Sequence, residues 1–328
     1  MKRTSTFLVA LLTLSLLAPA ASQATPVVNL CVAYDLGGPG DRSYNDAVLA
    51  GLTKAKKTLS FNYEGFITDG SAADREKRIR AMIAKGCSPI LAIGSGYAKL
   101  LKNLAMEFPT QQFSILNDAS IASLNVTSLV FANKQAGYLA GFAAARVSKT
   151  GKVILISNTA NLDLENGFTL GAAATKKKVK VTIKSATIGL ADLTKTAISD
   201  GNDVIFVATT GSDNEIFSAV VSYNESKKKD AAEVGVITIE PDQYLTVTPA
   251  SQKYLLGAVS KRVDNAMFDL ITSAIKNQQI TDILDSVQGI YGRSYGITGG
   301  NIELSIWAPK LLALKASIAT ASRSAAKL

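Results

Sequence analysis

No histidine occurs anywhere in the chain. That removes Ser-His-Asp and Cys-His triads and every zinc site built on histidine. An enzyme on this chain would have to work with carboxylates, lysine, serine, tyrosine or cysteine. There are 2 cysteines and 1 tryptophan, too few cysteines for a disulfide-dense scaffold or a four-cysteine metal centre. No metal site and no cofactor is expected. Beyond the N-terminus no apolar run is long enough to span a bilayer. Charged residues make up only 19% and hydrophobic residues 47%, which excludes a disordered chain and fits a packed globular one.

The first 24 residues read as a signal peptide. Lys2 and Arg3 form a basic start, Phe7 to Leu17 an apolar segment too short to cross a membrane, and Ala18-Pro19-Ala20 and Ser22-Gln23-Ala24 offer small residues for cleavage. The mature chain is therefore expected to be exported, either secreted or held in the periplasm or cell envelope. A lipoprotein carries cysteine at the cleavage point. The first cysteine here, Cys31, follows Leu30, which is larger than the small residue needed there, so no lipid anchor is expected. The formal charge is +9, and losing Lys2 and Arg3 leaves +7. Much of it sits in Lys176–Lys178 with Lys180 and in Lys227–Lys229. These read as solvated faces with mild attraction to an anionic envelope surface, and no nucleic-acid partner is expected. Cys31 lies in the first expected strand and Cys87 just before the third. A disulfide and two buried thiols both remain open.

Along the chain, short apolar runs alternate with amphipathic helical patterns. Strands are expected at 27–34, 61–66, 89–93 and 112–116, with helices at 45–57, 73–85 and 98–108 between them. The pattern then restarts with strands at 128–131, 152–156, 179–183, 203–207 and 233–238. Helices at 135–147, 166–177, 192–199 and 215–223 separate these strands. A late helix at 259–276, a β-rich stretch at 290–308 and a final helix close the chain. Alternation of this kind gives right-handed βαβ units and parallel sheets. Ligands bind outside the carboxyl ends of such strands, where the polar loops 35–45, 94–97, 117–118, 209–214 and 240–243 collect. Gly137-x-x-x-Gly141 reads as close helix packing, and Gly94-x-Gly96 lacks the third glycine of a dinucleotide fingerprint.

Several segments in series resemble the basic membrane protein family, the purine-nucleoside receptors of ABC transporters. They are Asp41-Arg42-Ser43-Tyr44-Asn45, Phe113 to Asp118, Gln135 to Gly141, Lys149 to Val153, Asn202 to Phe206, Asp242-Gln243, and Ser260 to Asp264. The resemblance runs from about residue 28 to about 300. It implies an α/β, two-lobed type I periplasmic-binding fold, each lobe a parallel-sheet sandwich, hinged by about three crossings. The expected lobes are 25–124 with 243–287, and 125–242 with 288–328. Crossings are expected near 122–128, 240–246 and 284–292.

The resemblance also implies a site. Tyr44 is the candidate for stacking on a nucleobase, against the alternative that it packs on the next helix. Asp41, Ser43 and Asn45 offer acceptors and donors to a purine edge, or cap the helix. Asp118 would contact base or sugar, with Asn117 beside it. Asp242 and Lys261 would hold the ribose hydroxyls, or form a structural ion pair. Phe168 and Phe217 are second-tier candidates for a ring from the other lobe, with core packing as their bland role. After the strand ending at Val207, the family's glycine-rich loop survives here only as Gly211, so Thr209 and Thr210 fill space or supply hydrogen bonds.

The expected function is an exported solute-binding protein of an ABC importer, not an enzyme. It would take a purine nucleoside or similar polar metabolite, close as a monomer peripheral to the membrane, and dock on a permease. A ligand sensor for a membrane signalling protein and a carboxylate-based nucleoside hydrolase are the rival functions.

Overall fold

In the computed structural model, residues 27–41, 43–209, 214–239 and 247–328 are described. The signal peptide expected over 1–24 lies outside them. The N-terminal part alternates β1 (Val28–Tyr34), α1 (Tyr44–Ala55), β2 (Phe61–Ile67), α2 (Ala72–Ala84), β3 (Ile90–Ile93), α3 (Ala98–Glu107), β4 (Phe113–Leu116) and β5 (Val126–Phe131). There follow α4 (Asn133–Val147), β6 (Lys152–Ser157), α5 (Leu162–Ala174), β7 (Lys180–Ser185), α6 (Leu190–Ser199), β8 (Val204–Ala208), α7 (Asn214–Ser226) and β9 (Gly235–Thr238). The chain finishes with α8 (Pro249–Gln252), β10 (Leu255–Lys261), α9 (Val263–Ile275), β11 (Asp282–Asp285), β12 (Ile290–Tyr295), β13 (Ile302–Ile306), α10 (Pro309–Leu312) and α11 (Lys315–Ala325).

Local chemistry explains the boundaries. β3 and β8 are continuous apolar runs and β4 is interrupted only by the buried Ser114, as suits strands covered on both faces. Ser71 caps α2 by accepting from the Asp74 amide at 3.1 Å, and Gly86, at a φ of 75°, leads the chain out of it. Asn161 caps α5 in the same way while Glu165 accepts from the Asn161 amide at 3.0 Å, a reciprocal box.

Two sheets result. One has the order β11-β12-β5-β4-β3-β1-β2, the other β13-β10-β9-β8-β6-β7. All neighbours are parallel except β11 with β12 and β10 with β13. These are the two α/β lobes. Cys31 of β1 and Cys87, entering the adjacent β3, are joined by a disulfide, which closes the question the sequence left open.

Strand pairing relocates the crossings. β5 pairs with β4 in the first sheet, although a boundary at 124 would have put it in the second lobe. β10 pairs with β9 and β13 in the second sheet, although 243–287 was expected in the first. β12 pairs with β5 in the first sheet, although 288–328 was expected in the second. After β10 the chain returns to the first lobe with α9, β11 and β12: α9 packs on α1, where a Cβ on Gly51 would lie 2.9 Å from Met267 Cγ, and β11 and β12 extend the first sheet. The chain thus crosses between sheets at 131–133, 261–263 and 295–302. The reason is that a crossing must follow the last paired residue of a strand, and apolar runs mark strands without saying which sheet they join.

The crossings are bonded to one another. Ala132 N–H donates to Tyr295 O at 3.0 Å, Arg262 N–H to Asn301 O at 2.9 Å, and Asn265 Nδ2 to Asn301 Oδ1 at 2.8 Å. The Phe131 and Tyr295 rings lie 5.5 Å apart across the first and third. One apolar core runs through both lobes, and each lobe has a further core on its outer face.

Candidate functional site

A cavity of about 550 Å³ lies between the lobes, at the carboxyl ends of the central strands. The first lobe contributes the loop after β1, the N-terminus of α1, Gly94-Ser95 after β3 and Asn117 after β4. The second contributes Asn158 to Asn161 after β6, Ala208 and Thr209 after β8, and Ile239 after β9. Asn133 and Lys261 come from the crossings. The topology alone collects these residues, because parallel strands present their C-terminal loops on one edge.

The α1 entrance is built around two polar side chains. Asp41 Oδ1 accepts from the amides of Ser43 at 2.8 Å and Asp46 at 3.2 Å, and Oδ2 from that of Asn45 at 3.3 Å. Asn45 Oδ1 accepts from Asp35 N–H at 3.1 Å and its Nδ2 donates to Leu36 O at 3.3 Å. Asp41 therefore caps the helix and Asn45 pins the loop, so both take up their alternative, structural roles while still lining the cavity. Ser43 lines it as well, with its side chain buried.

Tyr44, 9% exposed, accepts a hydrogen bond on its phenol oxygen from Lys261 Nζ at 2.8 Å. Lys261, 7% exposed, also donates to Asn133 Oδ1 at 3.0 Å. Its ammonium lies 5.5 Å from the Tyr44 ring centroid and 5.9 Å from that of Phe131. A buried cation is tolerated there because the Tyr44 and Asn133 oxygens accept from it in place of water. Tyr44 and Lys261, expected at the base and at the ribose respectively, are in direct contact with each other.

Other expected residues fall elsewhere. Asp118 does not line the cavity; its Oδ1 accepts from Ser120 N–H at 2.9 Å and Ser120 Oγ at 2.6 Å, closing a turn. Asn117 takes the cavity position, because its φ of 64° turns the chain outward right after β4. Phe168 is fully buried and stacks on Phe206 at 5.5 Å, and Phe217 is buried in the outer core of the second lobe. Neither ring reaches the cavity, because each lies on the apolar face of its helix. Gly211 and Asp242 lie outside the described residues.

Sequence reasoning missed several lining residues. Asp35 ends β1 and is held by Arg75, whose Nη2 donates to Oδ1 at 2.8 Å. A Cβ on Gly94 would come within 3.2 Å of Asp35 Oδ2, so glycine is what lets this loop close on the carboxylate. Asn133, Asn158 and Asn161 were not among the candidates, and Thr209 was expected only to fill space or supply hydrogen bonds, although their positions just after strands were the available signal. Thr209 is 2% exposed and its Oγ1 has no hydrogen-bond partner among the described residues.

Two sites of stabilising geometry hold the walls in place. Gly137 and Gly141 of α4 face Gly167 and Gly171 of α5 so closely that a Cβ on any of them would meet a backbone oxygen at 1.9–2.1 Å. This backbone-to-backbone contact fixes the N-termini of both helices at the cavity. Asp264 joins Arg262, through Nη2 at 2.7 Å, to Lys54 of α1. The hydrogen bond from Arg262, then that from Lys54, holds the Asp264 carboxyl well below the usual carboxylate range.

Two mostly parallel-sheet lobes, three bonded crossings and a cavity between them define the type I periplasmic-binding fold. Solved structures agree on the fold: an ABC-transporter solute-binding protein of Aeropyrum pernix superposes with a TM-score of 0.68 at 19% identity, covering 89% of this chain and 80% of that one. A transcriptional activator of the comK gene from Bacillus halodurans superposes at 0.69 and 18%, covering 91% and 98%. The sequence is more specific. The family described as ABC transporter substrate-binding protein PnrA-like (Bmp) matches residues 29–295, and the chain belongs to it. The chain is 29% identical over 260 residues to a CD4+ T-cell-stimulating antigen of Listeria monocytogenes, covering 73% of this chain and 71% of that one. To the ABC transporter nucleoside-binding protein BmpA of Lactococcus lactis it is 27% identical over 259 residues, covering 73% and 72%. To an uncharacterised lipoprotein of Pyrococcus furiosus it is 24% identical over 269 residues, covering 76% and 65%.

Proposed function

We propose that this protein binds a purine nucleoside between its lobes and delivers it to an ABC permease as an extracytoplasmic receptor. The observation that carries the reading is the Tyr44–Lys261 pair in the wall of an interlobe cavity that mixes amides and hydroxyls with the carboxylates of Asp35 and Asp41 and with apolar side chains. A tyrosine face suits a nucleobase. Asparagine side chains both donate and accept, matching the mixed edge of a purine and the hydroxyls of a ribose. Asp35 and Asp41 already accept hydrogen bonds from this chain, an arrangement suited to holding a shape more than to moving protons. The nucleoside-binding name of the Lactococcus relative supports the same ligand class.

The relatives include proteins named lipoproteins, which runs against the expectation of an unanchored chain, while both cysteines of this sequence are joined to each other. Among the described residues no helix is long and apolar enough to cross a membrane.

The test is a thermal-shift panel of nucleosides, free bases and free sugars, since a ligand that binds only the folded state raises the melting temperature. Purine nucleosides should raise it, whereas free ribose and free bases should do so far less. Recovery of the nucleoside intact after incubation supports a receptor, and release of free base supports the hydrolase instead. A response to a sugar alone would overturn the nucleoside assignment.

A further inference from the structure

The amino ends of β6 and β7 lie across the second lobe from the cavity. β6 spans 6 residues, so at about 3.3 Å per residue its two ends stand about 17 Å apart. Lysines gather at this far pole. Lys152 opens β6 and is the register partner of Lys180, which opens β7. Lys180 N–H donates to Gly151 O at 2.8 Å, and a Cβ on Gly151 would lie 3.1 Å from Lys178 O, which brings the 149–152 turn against 176–180. Lys177 Nζ donates to the carbonyls of Ala145, Arg146 and Ser148, closing the C-terminus of α4 onto the same place.

The lysines there outnumber the neighbouring carboxylates of Asp200 and Asp203. Lys149, Lys176, Lys178 and Lys180 are exposed and form no ion pair. The nearby carboxylate of Asp203 is buried and occupied by Ser148 Oγ at 2.6 Å and by the amides of Lys149 and Thr150. Asp200 meets Lys152 only through its backbone carbonyl, at 2.6 Å.

We propose that this lysine pole is a docking surface for anionic phospholipid headgroups. Its composition selects that partner. Lysine is a hydrated point charge without the fork that arginine offers to planar partners. None of the exposed large apolar residues falls within 146–152 or 176–180, so the apolar anchor of a protein interface is missing. Aromatic residues interleaved with the charges, which single-stranded nucleic acid requires, are also missing. A diffuse anionic plane needs none of these features, and juxtamembrane basic clusters respond to it. Contact at this pole leaves the cavity, on the opposite edge, open to solvent. It requires no covalent anchor, and the inference stands apart from the identity of the ligand.

The experiment is co-sedimentation of the purified protein with vesicles of phosphatidylcholine alone and of phosphatidylcholine with phosphatidylglycerol, at low and at high salt. The wild type should sediment only with the anionic vesicles and be released by salt, because surface attraction is screened. The triple variant Lys176→Glu, Lys178→Glu, Lys180→Glu should lose at least tenfold in partitioning. The variant Lys77→Glu, Lys99→Glu, Lys102→Glu makes the same change in net charge on exposed lysines of the first lobe and should keep most of it. Both should melt like the wild type. Equal losses in the two variants, or a wild type that does not sediment with anionic vesicles, would overturn the proposal. So would a pole that captures single-stranded DNA in preference to the vesicles.

Discussion

Lys261 Nζ donates to the phenol oxygen of Tyr44 at 2.8 Å, across 217 positions of sequence. The bond joins the last residue of a second-lobe strand to the first residue of a first-lobe helix, at the second crossing. Whatever enters the cavity meets a ring whose position is held by the hinge itself. Lys261→Ala should lower nucleoside affinity at least tenfold, or about 1.4 kcal/mol. Tyr44→Phe, which keeps the ring, should cost less than Tyr44→Ala, which removes about 1–3 kcal/mol of stacking. Calorimetric titration of the three variants checks the order; equal affinities for all would remove both residues from the binding site.

Thr209 carries a buried hydroxyl with no hydrogen-bond partner among the described residues. Such a group is costly to leave unpaired, by about 1–3 kcal/mol. Thr209→Val should therefore leave the ligand-free melting temperature unchanged or raise it, and reduce the shift that the nucleoside produces. Thr209→Ser should retain that shift. An undiminished shift in the valine variant would mean that the hydroxyl does not meet the ligand.

The four glycines between α4 and α5 leave no room for a methyl group. In Gly137→Ala the new Cβ would fall 2.1 Å from Leu164 O, and in Gly171→Ala 2.0 Å from Tyr138 O. Because the obstacle is backbone, the helices must separate, with an expected loss of at least about 2 kcal/mol. Urea midpoints for the two variants measure it.

The disulfide ties β1 to the entry of β3 across 56 positions. Closing a loop of that length restrains the unfolded chain by about 4 kcal/mol in the entropic account. Cys31→Ala with Cys87→Ala should lower stability by an amount of that order, read in denaturant unfolding, without changing ligand affinity.

Acid should loosen the hinge through Asp264. Its carboxyl titrates lower in the folded protein than in the unfolded chain, chiefly because of the Arg262 hydrogen bond. The folded state therefore binds a proton less readily. The contribution is complete above the unfolded value of about 4 and is lost as the pH falls below it. Asp264→Asn should destabilise the protein at neutral pH and flatten the acid limb of its stability profile, as recorded by melting temperature against pH.

The sequence by itself determined the alternation of strand and helix and the family likeness, because these depend on residues near one another in the chain. It also placed the 35–45 loop at the carboxyl end of a strand, which is the edge where the interlobe cavity lies. Which sheet each strand joins was decided only by tertiary pairing: β5, β10 and β12 are apolar enough for either lobe, and their register with distant neighbours moved all three crossings. Side-chain roles divided in the same way. Asp41, Asn45 and Asp118 have the chemistry of ligand contacts, yet local amides and hydroxyls claimed their oxygens first. Tyr44 and Lys261, distant in sequence, acquired their shared place only when α1 and the end of β10 met at the hinge.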